Sequence, residues 1–193
     1  MSPSRNLEQA LAAAVGVLNH LRIPYMVMGG LALSVWGRVR ATQDVDVSLS
    51  IDPAKESALT EALLAADFLP SAPRAIRGHR LVTCRYLKSS RGMPVQVDFL
   101  LARGAYQHQS LHRASTVTMG RRRLRVIAPE DLILHKLLAS RPLDLLDVQA
   151  VVEEQAGRLD WPYLRRWAKA LGLTRQLRSI RAGPEVGFLI FPT

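Results

Sequence analysis

An apolar segment that ends in two glycines and is followed by Asp-x-Asp constrains the fold of this chain more than any other feature. Tyr25–Met28 stops at Gly29-Gly30, which predicts a buried strand that turns sharply into a short helix. The segment DVDVSLS, which starts at Asp44, alternates as a half-buried strand does. Asp44 and Asp46 should therefore share one face. Carboxylates this close stay ionised together only if a cation or water lies between them.

Hydrophobic periodicity along the rest of the chain predicts an α/β half and then a helical half. The fold class is α/β (α+β): a small mixed β-sheet core over residues 1–127, followed by a C-terminal helical region over residues 128–193. The predicted helices cover residues 7–21, 31–36, 53–66, 132–139, 143–155 and 161–171, and the predicted strands cover 25–28, 44–50, 80–87, 94–101 and 121–127. The tail over residues 183–193 has no predicted element.

Size and charge restrict the class of protein. The 193 residues include 26 Lys and Arg against 16 Asp and Glu, a formal net charge of +10. Such a surplus favours a polyanionic partner, most simply nucleic acid, although an arginine-rich proteome produces the same bias. The single cysteine, Cys84, excludes an internal disulfide and fits a reducing compartment. With no secretory signal and no membrane-spanning run, a cytoplasmic protein is expected.

A second strand repeats the acidic pattern. The segment PVQVDFLL, over residues 94–101, places Gln96 and Asp98 on one face. If it lies beside the Asp-x-Asp strand, Asp98 becomes a third carboxylate next to Asp44 and Asp46. Three aspartates suit Mg²⁺, which binds a few carboxylates together with substrate phosphates. The alternative is a solvated strand face, where aspartates are common.

The glycine turn adds a phosphate site to this pattern. Glycines between a strand and a helix let the backbone approach a ligand closely, and the N–H groups of the following helix attract an anion. The segments MGGLALSVWGRVRATQDVDVSL and APEDLILHKLLASRPLDLLDVQAV together resemble the DNA polymerase β-like nucleotidyltransferase superfamily. Within it, they resemble the AbiEii/MenT group of bacterial toxins.

This resemblance implies roles for individual residues. Gly29 and Gly30 would contact the nucleotide phosphates, and Asp44 and Asp46 would bind Mg²⁺. Asp98 would ligate metal or help to deprotonate the acceptor hydroxyl. Many members have Ser after the glycine pair, where this chain has Leu31, so backbone N–H groups would do more, helped by Ser34 or Thr42. From its position between the glycines and the aspartates, Arg40 could meet the triphosphate or the acceptor backbone.

The helical half contributes a Lys, an Arg and a D-x-x-D to the same resemblance. Lys136 would neutralise charge on the nucleotide phosphates, although a lysine on an apolar helix usually extends to the surface. Asp144 and Asp147 share a helix face, and Asp147 could orient Lys136 or an arginine, or approach the metal. Arg141 would bind the nucleotide together with Lys136.

Three functions remain open. The first is a Mg²⁺-dependent nucleotidyltransferase that moves NMP from an NTP to the 3′ end of tRNA, as the toxin of a toxin–antitoxin pair with a cognate antitoxin partner. The second keeps the fold but modifies an aminoglycoside or lincosamide antibiotic; a protein of charge +10 is a poor trap for a polycationic aminoglycoside unless its cleft is locally acidic. The third is a nucleic-acid-binding module with a degenerate site, against which Asp44, Asp46, Asp98 and Lys136 argue.

Overall fold

A computed structural model describes residues 3–39, 41–71, 82–89, 93–120 and 122–181. Arg40, which the sequence predicts to bind nucleotide, lies outside the described residues. So do Arg121, the centre of the predicted hairpin turn at residues 90–92, and the tail from residue 182 onwards.

The described chain forms two compact units. One unit contains Met1–Val35 and Val39–Ala128, and the other contains Trp36–Arg38 and Pro129–Thr193. The helices are α1 (Pro3–His20), α2 (Gly29–Trp36), α3 (Glu56–Ala65), α4 (Ala105–Arg113), α5 (Pro129–Ala139), α6 (Pro142–Glu154), α7 (Trp161–Ala170) and α8 (Thr174–Arg181). The strands are β1 (Tyr25–Met28), β2 (Asp44–Leu49), β3 (Phe68–Ser71), β4 (Val82–Lys88), β5 (Val95–Leu101), β6 (Ser115–Met119) and β7 (Arg122–Val126).

The described strands form one mixed sheet in the order β3-β4-β5-β2-β1-β7-β6. β2 pairs with β5, and β1 with β7, in parallel, whereas the other neighbours are antiparallel. The α/β class is therefore confirmed, with a seven-stranded sheet in place of a small one.

Both edge strands of the sheet escape sequence prediction. β3 has the sequence FLPS and β6 has STVTM, and each is short and half-exposed. Pro70 argues against a strand, because proline cannot donate to a ladder, but an edge strand tolerates it. The helices α4 and α8 are missed as well, because each is short and mostly polar.

The core of the first unit lies on the valine face of β2. Val45, Val47 and Leu49 are fully buried, and α1 packs against β2 and β5. The opposite face is exposed at Asp44 but closed at Ser48, which is buried. Ser110 of α4 lies 3.6 Å from Met26 Sδ, so α4 covers this end of the second face.

Helix packing and two polar anchors hold the second unit together. α5 packs against α6 and α7, and α7 packs against α8. The buried Glu130 carboxylate accepts a hydrogen bond from the Asp160 backbone N–H at 2.9 Å. The Tyr163 hydroxyl donates to Asp131 Oδ1 at 2.7 Å. In the described parts of both units, no helix combines the length and the apolar character that a membrane span requires.

Candidate active site

Two aspartates meet side by side where β2 and β5 run in parallel. Asp46 is the register partner of Asp98, and Asp44 is the partner of Gln96. Paired residues on adjacent strands point to the same face, and the strands are ~4.8 Å apart. The structure thus places Asp98 beside Asp46, on the face that the two alternating segments predict. Asp44 is exposed, Asp46 is partly exposed and Asp98 is buried.

Gly29 supports the Asp46 carboxylate directly. It has φ +64°, a left-handed conformation that side chains disfavour. A Cβ atom there would overlap the Asp46 carboxylate, with the Asp46 Cγ only 2.8 Å away. Met28, just before it, is the antiparallel partner of Asp46. Only glycine therefore lets the chain leave β1 and pass against this carboxylate.

Gly30 gives Thr42 the same close approach. A Cβ atom at Gly30 would lie 2.7 Å from the Thr42 Cβ. The Thr42 hydroxyl donates to the Asp44 backbone carbonyl at 3.3 Å, so the loop before β2 packs against the start of α2. The first N–H groups of a helix lack intrahelical partners, which makes this start of α2 suited to an anion.

Ser34 lies one turn further along α2. Its hydroxyl donates to the Leu31 carbonyl at 2.7 Å, which uses its proton within the helix. Its predicted contact with the nucleotide stays a prediction.

Arg85 is the main site residue that sequence reasoning missed. Its Nε and Nη2 donate to Asp98 Oδ1 and Oδ2 at 2.8 and 2.7 Å. Gln96 Nε2 adds a longer bond of 3.3 Å to Oδ2. The register of the β4–β5 hairpin sets Arg85 opposite Asp98. Counting that register across the predicted turn was the one sequence signal that could have found it.

The acidic face raises the pKa of Arg85. Its hydrogen bonds to Asp98 contribute most, partial burial opposes them, and the negative charges of Asp98, Asp44 and Asp46 add to the rise. The guanidinium is therefore a fixed positive charge among three carboxylates.

The aspartates fit Mg²⁺ unequally. Carboxylate oxygens are suitable ligands, and Asp44 and Asp46 present them on one strand face. Both oxygens of Asp98 accept bonds from Arg85. Within the described ranges, no three His, Cys, Asp or Glu side chains are grouped closely enough to hold a metal ion. Asp98 fits the predicted metal set only if Arg85 releases it, so the three-aspartate site stays a prediction.

The Lys, Arg and D-x-x-D of the helical unit form one network, in which Lys136, Asp144 and Asp147 are buried and Arg141 is exposed. Lys136 Nζ donates to Asp147 Oδ2 at 2.6 Å and to Asp144 Oδ1 at 3.3 Å. Arg141 binds Asp144 through Nε at 2.6 Å and Nη2 at 3.1 Å. Lys136 is only 6% exposed, so it does not extend to the surface. Asp147 and Asp144 both bind Lys136, and the predicted catalytic role of Asp147 stays a prediction.

Two opposing effects determine the pKa of Asp144. Burial disfavours its charged form, but the hydrogen bonds and charges of Arg141 and Lys136 outweigh burial and lower the pKa below its usual value. The predicted contacts of Lys136 and Arg141 with a nucleotide stay predictions.

The sequence profile of the family described as "Nucleotidyl transferase of unknown function (DUF2204)" matches residues 7–176. The chain belongs to this family. It is thus a member of a nucleotidyl transferase family by sequence. No curated protein matches the chain.

Solved structures show the fold of this DUF2204 member in other proteins. The solution structure of the antibiotic-resistance factor ANT(2'')-Ia has a TM-score of 0.57 and 12% identity, covering 96% of this chain and 97% of that one. A Helicobacter pylori protein with a provisional nucleotidyltransferase assignment has a TM-score of 0.53 and 16% identity, covering 98% and 86%. The lincosamide antibiotic adenylyltransferase LnuA has a TM-score of 0.52 and 14% identity, covering 76% of this chain and 94% of that one.

Proposed function

We propose that this DUF2204 protein is a Mg²⁺-dependent nucleotidyltransferase that moves NMP from an NTP to an acceptor hydroxyl. The acceptor is the 3′ end of tRNA, and the protein acts as the toxin of a bacterial toxin–antitoxin pair. The cognate antitoxin is its protein partner. The family supports nucleotidyl transfer, whereas the metal, the acceptor and the toxin role are parts of the proposal.

One observation supports the transfer chemistry most directly. The Asp46 carboxylate touches the Gly29 backbone at the point where α2 begins, and Asp98 lies beside it in register. A triphosphate at the N-terminus of α2 would therefore lie next to carboxylates that can bind a metal. A solvated strand face requires no such close approach between a carboxylate and a glycine.

Each residue then has a defined task. The N–H groups at the start of α2 bind phosphate oxygens, and Asp44 and Asp46 hold Mg²⁺. Mg²⁺ held by these two carboxylates would supply positive charge next to the α-phosphate and the departing pyrophosphate. Asp98 accepts the proton of the acceptor hydroxyl or ligates metal once Arg85 has moved to a phosphate oxygen. Arg85 thereby couples substrate binding to the release of Asp98.

The charge of the chain favours RNA as the acceptor. The net charge is +10, and α7 and α8 expose five basic residues: Arg165, Arg166, Lys169, Arg175 and Arg178. Such a surface binds phosphodiester backbones without reading sequence.

An antibiotic acceptor is the second candidate. It rests on the fold shared with ANT(2'')-Ia and LnuA, whose names describe antibiotic resistance and lincosamide adenylylation. The net charge of +10 repels a polycationic aminoglycoside at long range, whereas the row of Asp44, Asp46 and Asp98 would attract it locally. We rank RNA first because the exposed basic residues of α7 and α8 match a polyanion.

Thr42 is the proposed point of control. Members of the toxin group can be silenced by modification of a hydroxyl at this place. Thr42 packs against Gly30 so closely that a phosphate on its hydroxyl would displace the loop and crowd Asp44. Mass spectrometry of the inhibited protein, co-expressed with its antitoxin, should show a modified Thr42 peptide. An unmodified peptide under inhibiting conditions would remove this part of the proposal.

The direct test supplies purified protein with total tRNA, Mg²⁺ and each of the four NTPs labelled at the α-phosphate. Label should appear on tRNA with at least one NTP and vanish in Asp46→Asn. The matched control is Asp67→Asn, since the Asp67 side chain is 84% exposed and far along the chain from the site.

The outcomes separate the acceptor from the chemistry. Label on an aminoglycoside or lincosamide, and none on tRNA, would replace the RNA reading with the second candidate. No transfer to any acceptor, together with NTP binding that does not depend on Mg²⁺, would contradict the enzyme itself.

A further inference from the structure

A cavity of about 500 Å³ opens at the opposite end of the sheet from the aspartates. β1 begins there at Tyr25, and the chain leaves β2 there at Ser50. Tyr25 precedes Met28, the register partner of Asp46, by three residues, so the cavity lies about 10 Å along the strand from the acidic row. It is a separate site within the same compact unit.

The lining of the cavity is basic and rich in donors. Its described lining residues are Asn19, Arg22, Ile23, Pro24, Tyr25, Ser50, His108, Leu111, His112 and Arg125. They include two arginines and two histidines but, among these described residues, no aspartate or glutamate. Asn19, Tyr25 and Ser50 add neutral polar groups, and Ile23, Pro24 and Leu111 add an apolar wall.

Two arginines enter the cavity from different elements. Arg22 follows α1 in a left-handed conformation, φ +54°, and the Ile23 N–H closes the helix end by bonding to the Leu18 carbonyl at 2.8 Å. Glycine is the usual residue at such a position, so an arginine there carries a conformational cost. Arg22 is exposed, so its guanidinium is accessible to a ligand.

Two backbone carbonyls at the end of α4 anchor the Arg125 guanidinium through one of its nitrogens. Its Nη2 donates to the carbonyls of Leu111 and His112 at 3.2 and 3.4 Å, at the end of α4. A guanidinium has five N–H donors, so these two contacts of Nη2 do not use all of them. His108 Nδ1, also in the lining, lies 3.4 Å from the Ser50 hydroxyl.

We propose that this cavity binds a small phosphorylated molecule, with its phosphate between Arg22, Arg125 and His112. A phosphate offers several acceptor oxygens, which match the guanidinium and imidazole donors of the lining. The cavity volume lies in the range of small-molecule sites, and its apolar wall suits the organic part of the ligand. The site is distinct from the proposed triphosphate cradle and requires no metal.

The test uses ribose 5-phosphate, with ribose as the neutral control, in buffer containing EDTA. EDTA removes the Mg²⁺ on which the proposed catalytic site depends, so the two proposals fail independently. Binding is measured by calorimetry and by amide chemical-shift changes in isotope-labelled protein. Shifts should cluster at residues 19–25, 50, 108–112 and 125, and ribose should cause none.

Arg22→Gly is the sharpest variant. It removes a charge, yet glycine favours the backbone conformation found there, so the fold should be at least as stable. Affinity for ribose 5-phosphate should fall about tenfold, and by a similar factor in His112→Gln. Arg5→Gln changes an exposed arginine on the same α1 helix, remote from the cavity, and should leave affinity unchanged.

Contrary outcomes are well defined. No binding at about 10 mM ribose 5-phosphate would overturn the proposal. Equal affinity in Arg22→Gly and the unaltered protein would do the same. So would a result in which only an RNA oligonucleotide shifts these amides, because the cavity would then be part of an RNA surface.

Discussion

Gly29 illustrates how one residue without a side chain can position a charged one. Its left-handed backbone and its contact with Asp46 are two separate constraints. Gly120 has the first constraint, φ +59°, but nothing lies within 4 Å of its Cβ position. The pair therefore allows conformational strain to be separated from steric displacement of the carboxylate.

Gly29→Ala should lose more stability than Gly120→Ala. The left-handed backbone conformation of alanine lowers the free energy of unfolding by about 1 kcal/mol in both variants. Overlap with Asp46 lowers it by about 1–3 kcal/mol more in Gly29→Ala. Chemical denaturation measures both free energies of unfolding. Nucleotidyl transfer should be lost only in Gly29→Ala. Equal free energies in the two variants would show that Asp46 relaxes without cost.

Arg85 and Asp98 form the second residue-scale unit. Both side chains are largely buried, at 19% and 11% exposure, so removing one leaves the other charge poorly solvated. Arg85→Met and Asp98→Asn should each destabilise the protein. The double variant should lose less than the sum, with a coupling free energy of about 1–3 kcal/mol in a double-mutant cycle.

Activity distinguishes the roles of this pair. Arg85→Lys keeps the charge but loses the two-pronged contact, so transfer should fall while Mg²⁺-dependent NTP binding persists. A coupling free energy near zero would mean that the Arg85–Asp98 contact does not hold in solution.

At the scale of elements, the junction of α5 and α6 depends on charge. Asp144 carries a lowered pKa because Arg141 and Lys136 favour its ionised form over the cost of burial. Below pH ~4, the usual value for aspartate, the unfolded chain binds a proton that the folded chain resists. Stability should therefore fall as the pH drops below ~4 and through the lower pKa of the folded state.

Asp144→Asn tests this acid sensitivity. The variant should be less stable than the unaltered protein at neutral pH, and the difference should shrink on acidification. Arg141→Gln should reduce the pH dependence of stability less than Asp144→Asn does. Urea denaturation between pH 2 and pH 7 measures the free energy of unfolding of each variant. Parallel stability profiles for Asp144→Asn and the unaltered protein would contradict the lowered pKa.

For the whole molecule, the surplus of positive charge predicts strongly salt-dependent RNA binding. Each contact with a phosphate of a single strand contributes about 0.7 to the slope of log affinity against log salt. Arg165→Gln combined with Lys169→Gln removes two exposed charges from α7 and should reduce the slope by about 1.4. Lys55→Gln is the control, on an exposed turn of the other unit.

Filter binding of tRNA across a range of salt concentrations measures these slopes. An unchanged slope in the α7 double variant would remove this helix from the RNA surface. A slope near zero in the unaltered protein would show that its charge reflects composition alone.

The sequence by itself determined the local features of the site. The glycine turn and the alternating aspartates were readable because strand side chains alternate with period two and a tight turn needs glycine. The Lys, Arg and D-x-x-D could be recognised as a motif, but the hydrogen bonds that join them into one network could not be predicted. The short edge strands and the polar helices were not predicted, because neighbouring elements stabilise them more than their own sequence pattern does.

Only the tertiary structure decided which charges meet. Asp98 lies beside Asp46 because β5 pairs in parallel with β2, a segment about fifty residues earlier in the chain. Arg85 binds Asp98 because the register of the β4–β5 hairpin places the two residues opposite each other. The cavity at the other end of the sheet assembles Arg22, His112 and Arg125 from three separate elements. Local patterns determine which face of a strand a side chain occupies. Strand order and register determine its neighbours, and both depend on packing across the whole sheet.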